Sequence, residues 1–206
     1  MTTTRFFEWF EFGVLTCWFG LGLARACLLR ARGVSVFVGD WQRTVWQMLA
    51  DTLLLACLLA FAYEVIACAW ALDFHIGPSV LANLVLDGLA IRALGALLVL
   101  GGLLAYVVAL RDLGTSWRLG LDRTAPGPLV TEGLYRWTRH PIYVALDLFF
   151  IGTFLVLGRL IFLVLALVWA PLLHAIMTRE ERFLTQRYGA AYRDYCRRTK
   201  RYFTWH

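Results

Sequence analysis

The chain has 206 residues, 60% of them apolar and only 17% charged, with a formal net charge of +6. A soluble domain of this size carries more charge, and the apolar residues here fall in runs too long for a soluble core, which excludes an ordinary cytosolic globular fold. The positive balance does not point to nucleic acid, because most basic residues flank the apolar runs, where attraction to anionic lipid headgroups accounts for them.

A helix rises about 1.5 Å per residue, so roughly 20 residues cross the hydrocarbon. Five stretches approach or exceed that length: Trp9–Leu29, Val45–Leu72, Val80–Leu110, Ile142–Leu157 and Leu160–Met177. The first is too long for a secretory signal peptide and lacks a small-residue cleavage site. Its Gly20 and Gly22 are expected to serve helix packing, since no strand precedes them as a dinucleotide fingerprint requires. Asp51, Glu64, Asp87 and Arg92 lie in or near the second and third stretches. Intramembrane charge marks function by default; a transporter would line a path with such residues, and the alternative is that they pair with one another. The last two stretches are short, but the 36 residues from Ile142 to Met177 suffice for a tight hairpin turning at Gly158-Arg159. Cys17, Cys27, Cys57, Cys68 and Cys196 form no CxxC and no His/Cys cluster, so no metal site is expected.

Basic residues set the orientation. Sixteen of the 20 fall in the first connection (Arg30, Arg32, Arg43), the third connection (Arg111, Arg118, Arg123, Arg136, Arg139) and the C-terminal tail. With five spans these segments share one face, which should be cytoplasmic, with the N-terminus outside. The expectation is an all-α integral membrane protein of about five transmembrane helices with a C-terminal cytoplasmic amphipathic tail helix, in a bacterial inner (cell) membrane. Residues 1–110 read as a three-span scaffold. Residues 111–206 hold nearly all the dense polar information.

Two polar segments meet on the cytoplasmic side because the hairpin returns the chain to the face it left. In the first, Pro126, Gly127 and Pro128 force irregular backbone, Gly133 permits a turn, and His140 precedes Pro141, which suits the first turn of a helix. That helix start, beside Arg139 and His140, favours a carboxylate; the plainer reading is a capped helix start with juxtamembrane anchors. The second is Thr178–Leu184. Its Glu180 and Glu181, adjacent at a membrane exit, require partners or solvent. Arg179 and Arg182 could partner them, or one carboxylate binds a cationic or hydroxyl-rich ligand. Leu184, Tyr188, Ala191 and Tyr195 then recur as the stripe of an amphipathic surface helix, with a possible break at Gly189.

Gly133-Leu-Tyr135, Arg139-His140-Pro141-Ile-Tyr143, Glu180-Glu181 and Tyr188-Gly189-Ala-Ala-Tyr192-Arg-Asp-Tyr195 together resemble the isoprenylcysteine carboxyl methyltransferase family, whose clan includes phospholipid and small-thiol methyltransferases. The resemblance covers about residues 112–203. It implies methyl transfer from S-adenosylmethionine at a cytosolic site, to a lipophilic acceptor entering from the bilayer through a side opening. It assigns cofactor contacts to Gly127, Pro128, Leu129, Val130, Tyr135, His140, Pro141, Ile142, Tyr143 and a tail glutamate, Glu180 or its neighbour Glu181. Arg139 is the candidate for holding the acceptor or a cofactor carboxylate, and no general base is assigned. Two positions depart from the family pattern: Ala145 stands where a glycine is common, and Ile176 stands where prenylcysteine enzymes carry an arginine for the substrate carboxylate. Prenylcysteine, thiol, lipid amine and fatty acid acceptors all stay open, with a lipid bound between the third and fourth spans as the most informative observation. A sterol-reductase-like enzyme using NADPH and a non-catalytic membrane scaffold are the competing readings.

Overall fold

The structure, a computed structural model, describes residues 2–34, 36, 44–117 and 127–203. Arg43, Arg118, Arg123 and Pro126 lie outside them. The described chain is helical: α1 (Thr3–Ala31), α2 (Val45–Trp70), α3 (Leu89–Leu113), α4 (Pro141–Leu157), α5 (Leu160–Tyr188) and α6 (Ala190–Arg198), with short 3-10 turns at Ser79–Ala82, Gly114–Ser116 and Gly133–Arg136. Four helices, α1, α2, α3 and α5, are long and apolar enough to cross a membrane, and α4 is a shorter apolar helix of 17 residues. Thr44 begins α2 with a reciprocal cap: its hydroxyl accepts from the Gln47 N–H while the Gln47 side chain accepts from the Thr44 N–H. Gly158, left-handed at φ 67°, ends α4 and makes the hairpin turn with Arg159, as the sequence predicts.

The third span begins at Leu89, not at Val80. Gly77-Pro78, Asn83 and Asp87-Gly88 break the helical pattern that the apolar run otherwise continues. The backbone freed there docks on the hairpin turn. The Val85 and Leu86 N–H groups donate to the Gly158 carbonyl at 2.7 and 3.1 Å, and Leu160 N–H donates to the Asn83 carbonyl at 3.2 Å. The fifth span continues past Met177 to Tyr188, so Glu180 and Glu181 ride on the end of a membrane helix. A turn at Gly189 (φ 56°) separates it from α6, where Tyr195 of the amphipathic stripe and the nearby Tyr192 are buried against the protein.

Helices α3 and α4 touch backbone to backbone. A Cβ on Gly95 would sit 2.7 Å from the Gly152 carbonyl oxygen, one on Gly102 would sit 2.8 Å from the Ala145 carbonyl oxygen, and one on Gly152 would meet Val99 at 2.7 Å. Small residues one heptad apart on each helix give the close approach that membrane helices use in place of a hydrophobic driving force. At these residues the seam is closed, with no gap between the third and fourth spans.

Each end of the bundle is tied. At one end, Arg5 pairs with Glu8 (2.9 Å), Arg159 reaches Glu8 (3.7 Å) and His75 Nε2 (3.3 Å), and His75 Nδ1 meets Glu64 (2.9 Å), whose other oxygen accepts from the Ile76 N–H. Arg92 pairs with Asp87 at 3.0 Å. At the other end, Arg179 forms two bonds to Asp51 (2.9 and 3.2 Å), and Arg25 donates to the Gly114 carbonyl at 2.6 Å. The four intramembrane charges thus have partners, but only Asp87 and Arg92 pair with each other.

Candidate functional site

The connection after α3 is fixed by short polar residues. Gly133 turns at φ 64°, and a side chain there would collide with the Asp112 carboxylate, which accepts from the Leu134 N–H at 2.8 Å. Gly127 (φ 77°) packs on Ser116, whose hydroxyl donates to the Pro128 carbonyl at 3.3 Å, and Tyr188 O–H donates to the Gly127 carbonyl at 2.7 Å. The loop Gly127–Val130 is therefore held between the ends of α3 and α5. Pro141 occupies the first turn of α4, with His140 outside the helical region at φ −132°, ψ 60°.

The C-terminal segment is stitched across this helix start. Arg139 N–H donates to the Lys200 carbonyl (3.0 Å), Thr138 O–H to the Arg201 carbonyl (2.8 Å) and Thr199 O–H to the Arg136 carbonyl (3.3 Å). Tyr195 O–H donates to the Tyr135 carbonyl at 2.6 Å. Burial holds the Tyr195 and Tyr192 phenols well above the ordinary tyrosine range, so both stay neutral. Tyr135 shifts the same way, through burial first and then the nearby Glu180 charge.

The two adjacent glutamates have different surroundings. Glu181 takes a two-bond contact from Arg201 (2.6 and 2.9 Å), the His140 Nε2 contact at 3.1 Å and Arg139 at 3.4 Å. Glu180 stands 3.7 Å from His140 Nδ1, and its Oε2 is buried without a hydrogen-bond partner. The His140 ring lies between the two carboxylates, stacked near Tyr143 with centroids 5.4 Å apart. Two carboxylates from α5 thus stand beside the start of α4, held by side chains.

These groups open into a cavity of about 690 Å³. Pro128, Leu129, Val130, Tyr135, Arg139, His140, Ile142, Tyr143 and Glu180 line it. Gly127, Pro141 and Glu181 do not: they hold, respectively, the loop, the helix start and the tail. Beyond this polar end the wall is apolar and aromatic, with Trp18, Tyr106, Phe149 and Trp169 as its main rings. Sequence reasoning missed these four. Aromatic residues inside spans look alike whether they face lipid, core or cavity, so no linear signal picks them out. The cavity reaches the outer surface beside α1 and α2, where its lining residues Phe19, Leu23 and Leu55 are 44%, 66% and 55% exposed.

Of the three cationic or ionisable groups able to meet an acceptor carboxylate in place of the missing arginine, only Arg139 lines the cavity. Arg179 is committed to Asp51, and His174 contacts Tyr202 (3.1 Å) and Arg201 (3.2 Å). Ile176 is also off the cavity wall.

Fold and site define a helical membrane protein with a cavity that is polar at one membrane face and aromatic within the bilayer. Residues 90–191 match the family model for phospholipid methyltransferase. Over 143 residues the chain is 29% identical to the protein-S-isoprenylcysteine O-methyltransferase of Schizosaccharomyces pombe. That match takes in 69% of this chain and 59% of the length of that relative. Both likenesses agree with the resemblance drawn from the sequence: the chain is similar to the isoprenylcysteine and phospholipid methyltransferases. The family match starts inside α3, earlier than the motifs alone indicate, in keeping with the close α3–α4 seam.

Proposed function

We propose that this protein transfers a methyl group from S-adenosylmethionine to a lipophilic acceptor, at the cytoplasmic face of the membrane. The observation that carries this reading is the convergence of the motif residues on one wall of a cavity that continues into the aromatic interior. The polar end suits a zwitterionic cofactor with hydroxyl groups, because it offers an unpartnered carboxylate oxygen on Glu180 and an unpartnered N–H at Arg139 Nε, both buried.

Glu180 would accept hydrogen bonds from hydroxyl or ammonium groups of the cofactor, and Arg139 would hold its carboxylate. Tyr135, His140 and Tyr143 would shape the floor beneath it, with the backbone of Pro128–Val130 as a cover. When bound, S-adenosylmethionine supplies a sulfonium methyl whose bond to sulfur breaks, with the electron pair going to sulfur, as an acceptor lone pair bonds to the carbon. The protein supplies approximation and alignment of the two molecules. Its aromatic wall excludes water from a step in which opposite charges can cancel. A thiolate or carboxylate acceptor then needs no strong base, whereas an amine must first lose its proton, and no residue is assigned that role.

Arg139 is the one cation on the cavity wall among the described residues. If it holds the cofactor carboxylate, a second carboxylate on the acceptor would be buried without a partner, which is costly. We therefore expect a thiol or a lipid amine to be methylated faster than N-acetyl-farnesylcysteine when labelled cofactor is presented with all three at equal concentration. Faster turnover of the farnesylcysteine would overturn this choice of acceptor. Titration of the detergent-solubilised protein should show binding of S-adenosylmethionine and none of NADPH; the reverse would favour a reductase. His140→Ala should weaken cofactor binding about tenfold or more while the protein stays monodisperse, and unchanged affinity would return His140 to the role of a helix start.

A further inference from the structure

The aromatic half of the cavity contains polar groups that packing does not explain. Tyr106 of α3 is 6% exposed and lines the cavity. Its ring stacks on Trp18 (4.4 Å, 8°), which in turn stacks on Phe149 (5.0 Å, 9°). That stack accounts for the ring, and phenylalanine would serve it equally. It does not account for the hydroxyl, which belongs to a cavity-lining residue and makes no hydrogen bond to the described residues, leaving its donor free for a ligand atom. The hydroxyl lies over Gly22 of α1, where an added Cβ would stand 2.8 Å from the oxygen. Gly22, which the sequence assigns to helix packing alone, therefore leaves the room that the hydroxyl occupies. A second unpartnered donor, the indole N–H of Trp169, belongs to another residue on the same cavity wall. Leaving the buried Trp169 N–H without a partner costs roughly 1–3 kcal/mol, a cost that a ligand atom would remove.

We propose that the cavity holds a polar subsite in its apolar half, centred on the Tyr106 hydroxyl above Gly22, which binds an oxygen acceptor (a carbonyl, ester or ether) in the middle of the lipophilic molecule. Tyr106 lies two turns, about 10 Å of helix, before the end of α3 at Leu113, from which the chain continues into the polar end of the cavity. The reacting group and the oxygen would then be held at the two ends of a fixed span. This rests on the methyltransferase reading for the identity of the reacting end, and it narrows the acceptor to a chain that is not purely hydrocarbon.

The test uses two probes of equal length, 1-dodecanethiol and a dodecanethiol carrying a mid-chain ketone. Each is measured by methyl transfer from labelled cofactor and, separately, by titration calorimetry on the full-length protein in detergent. The wild type should bind the ketone better, and Tyr106→Phe should reduce that preference about fivefold, the loss of one neutral hydrogen bond. The affinities for the unsubstituted thiol and for S-adenosylmethionine should not change. Gly22→Ala, which crowds the hydroxyl and leaves its chemistry intact, should reduce the preference in the same direction. An equal preference in wild type and Tyr106→Phe, or no preference in the wild type, would overturn the subsite. If neither probe is methylated but the calorimetric preference persists and falls in Tyr106→Phe, the functional reading fails and the subsite stands.

Discussion

Glu180 and Glu181 are neighbours on one helix, and a helix turns about 100° per residue, so they face different surroundings. Glu180 borders the cavity. Glu181 gathers Arg201, His140 and Arg139 and so binds the tail to the helix start. Hydrogen bonds to charged groups contribute roughly 1.5–3 kcal/mol when the partners are shielded, and the Glu181 side chain is only 13% exposed. Arg201→Ala should therefore loosen the tail: cleavage by trypsin after Arg193 or Arg197 should quicken, and S-adenosylmethionine affinity should fall several-fold because α6 walls the cavity. Unchanged proteolysis together with unchanged affinity would show that the Arg201 contact holds nothing. The pairing of Glu181 with Arg201 was not legible in the sequence. Arg179 and Arg182 are nearer along the chain, but Arg179 turns to Asp51 on α2.

At the scale of elements, the α3–α4 seam fixes where the His140 turn sits relative to the rest of the bundle. Its glycines are not interchangeable with glycines elsewhere on the same helices. A Cβ at Gly152 meets Val99 and the Gly95 backbone within 3 Å, whereas one at Gly101 meets nothing within 4 Å. Gly152→Ala should force the helices apart at a cost of about 1–3 kcal/mol, lowering the midpoint of thermal unfolding in detergent. Gly101→Ala should leave it unchanged or raise it, since alanine is the better helix former by about 1 kcal/mol. The opposite order would mean that α3 and α4 do not pack on this face. Ala145, a departure from the family pattern, belongs to this seam, with its carbonyl against Gly102.

The whole molecule has two polar ends. One joins the start of α1, the loop before α3 and the α4–α5 turn through Glu8, Arg159, His75 and Glu64. Because arginine only donates, His75 Nε2 accepts from Arg159, and its Nδ1–H donates to Glu64. The other end carries the cavity mouth and the basic connections. That arrangement requires an odd number of crossings, with the short α4 counted as one. Reporter fusions at Ser79 and at the C-terminus should therefore report opposite faces, with the C-terminus cytoplasmic. A C-terminus on the outside would remove both the orientation and a cytosolic supply of cofactor.

Composition and run length determined the membrane class, the apolar helices and the position of the hairpin, because hydrocarbon imposes length and polarity on each crossing separately, without reference to neighbours. The motif residues between Gly127 and Glu180 were equally legible, since their spacing is a property of the chain. Tertiary structure alone decided which of two adjacent glutamates borders the cavity, that the third span starts at Leu89, that the third and fourth spans close on each other, and that Trp18, Gly22, Tyr106 and Trp169 belong to the same chamber as His140. Those facts depend on which faces of different helices meet. Inside a bilayer every face is apolar, so periodicity, which separates buried from exposed in water, carries no such information here.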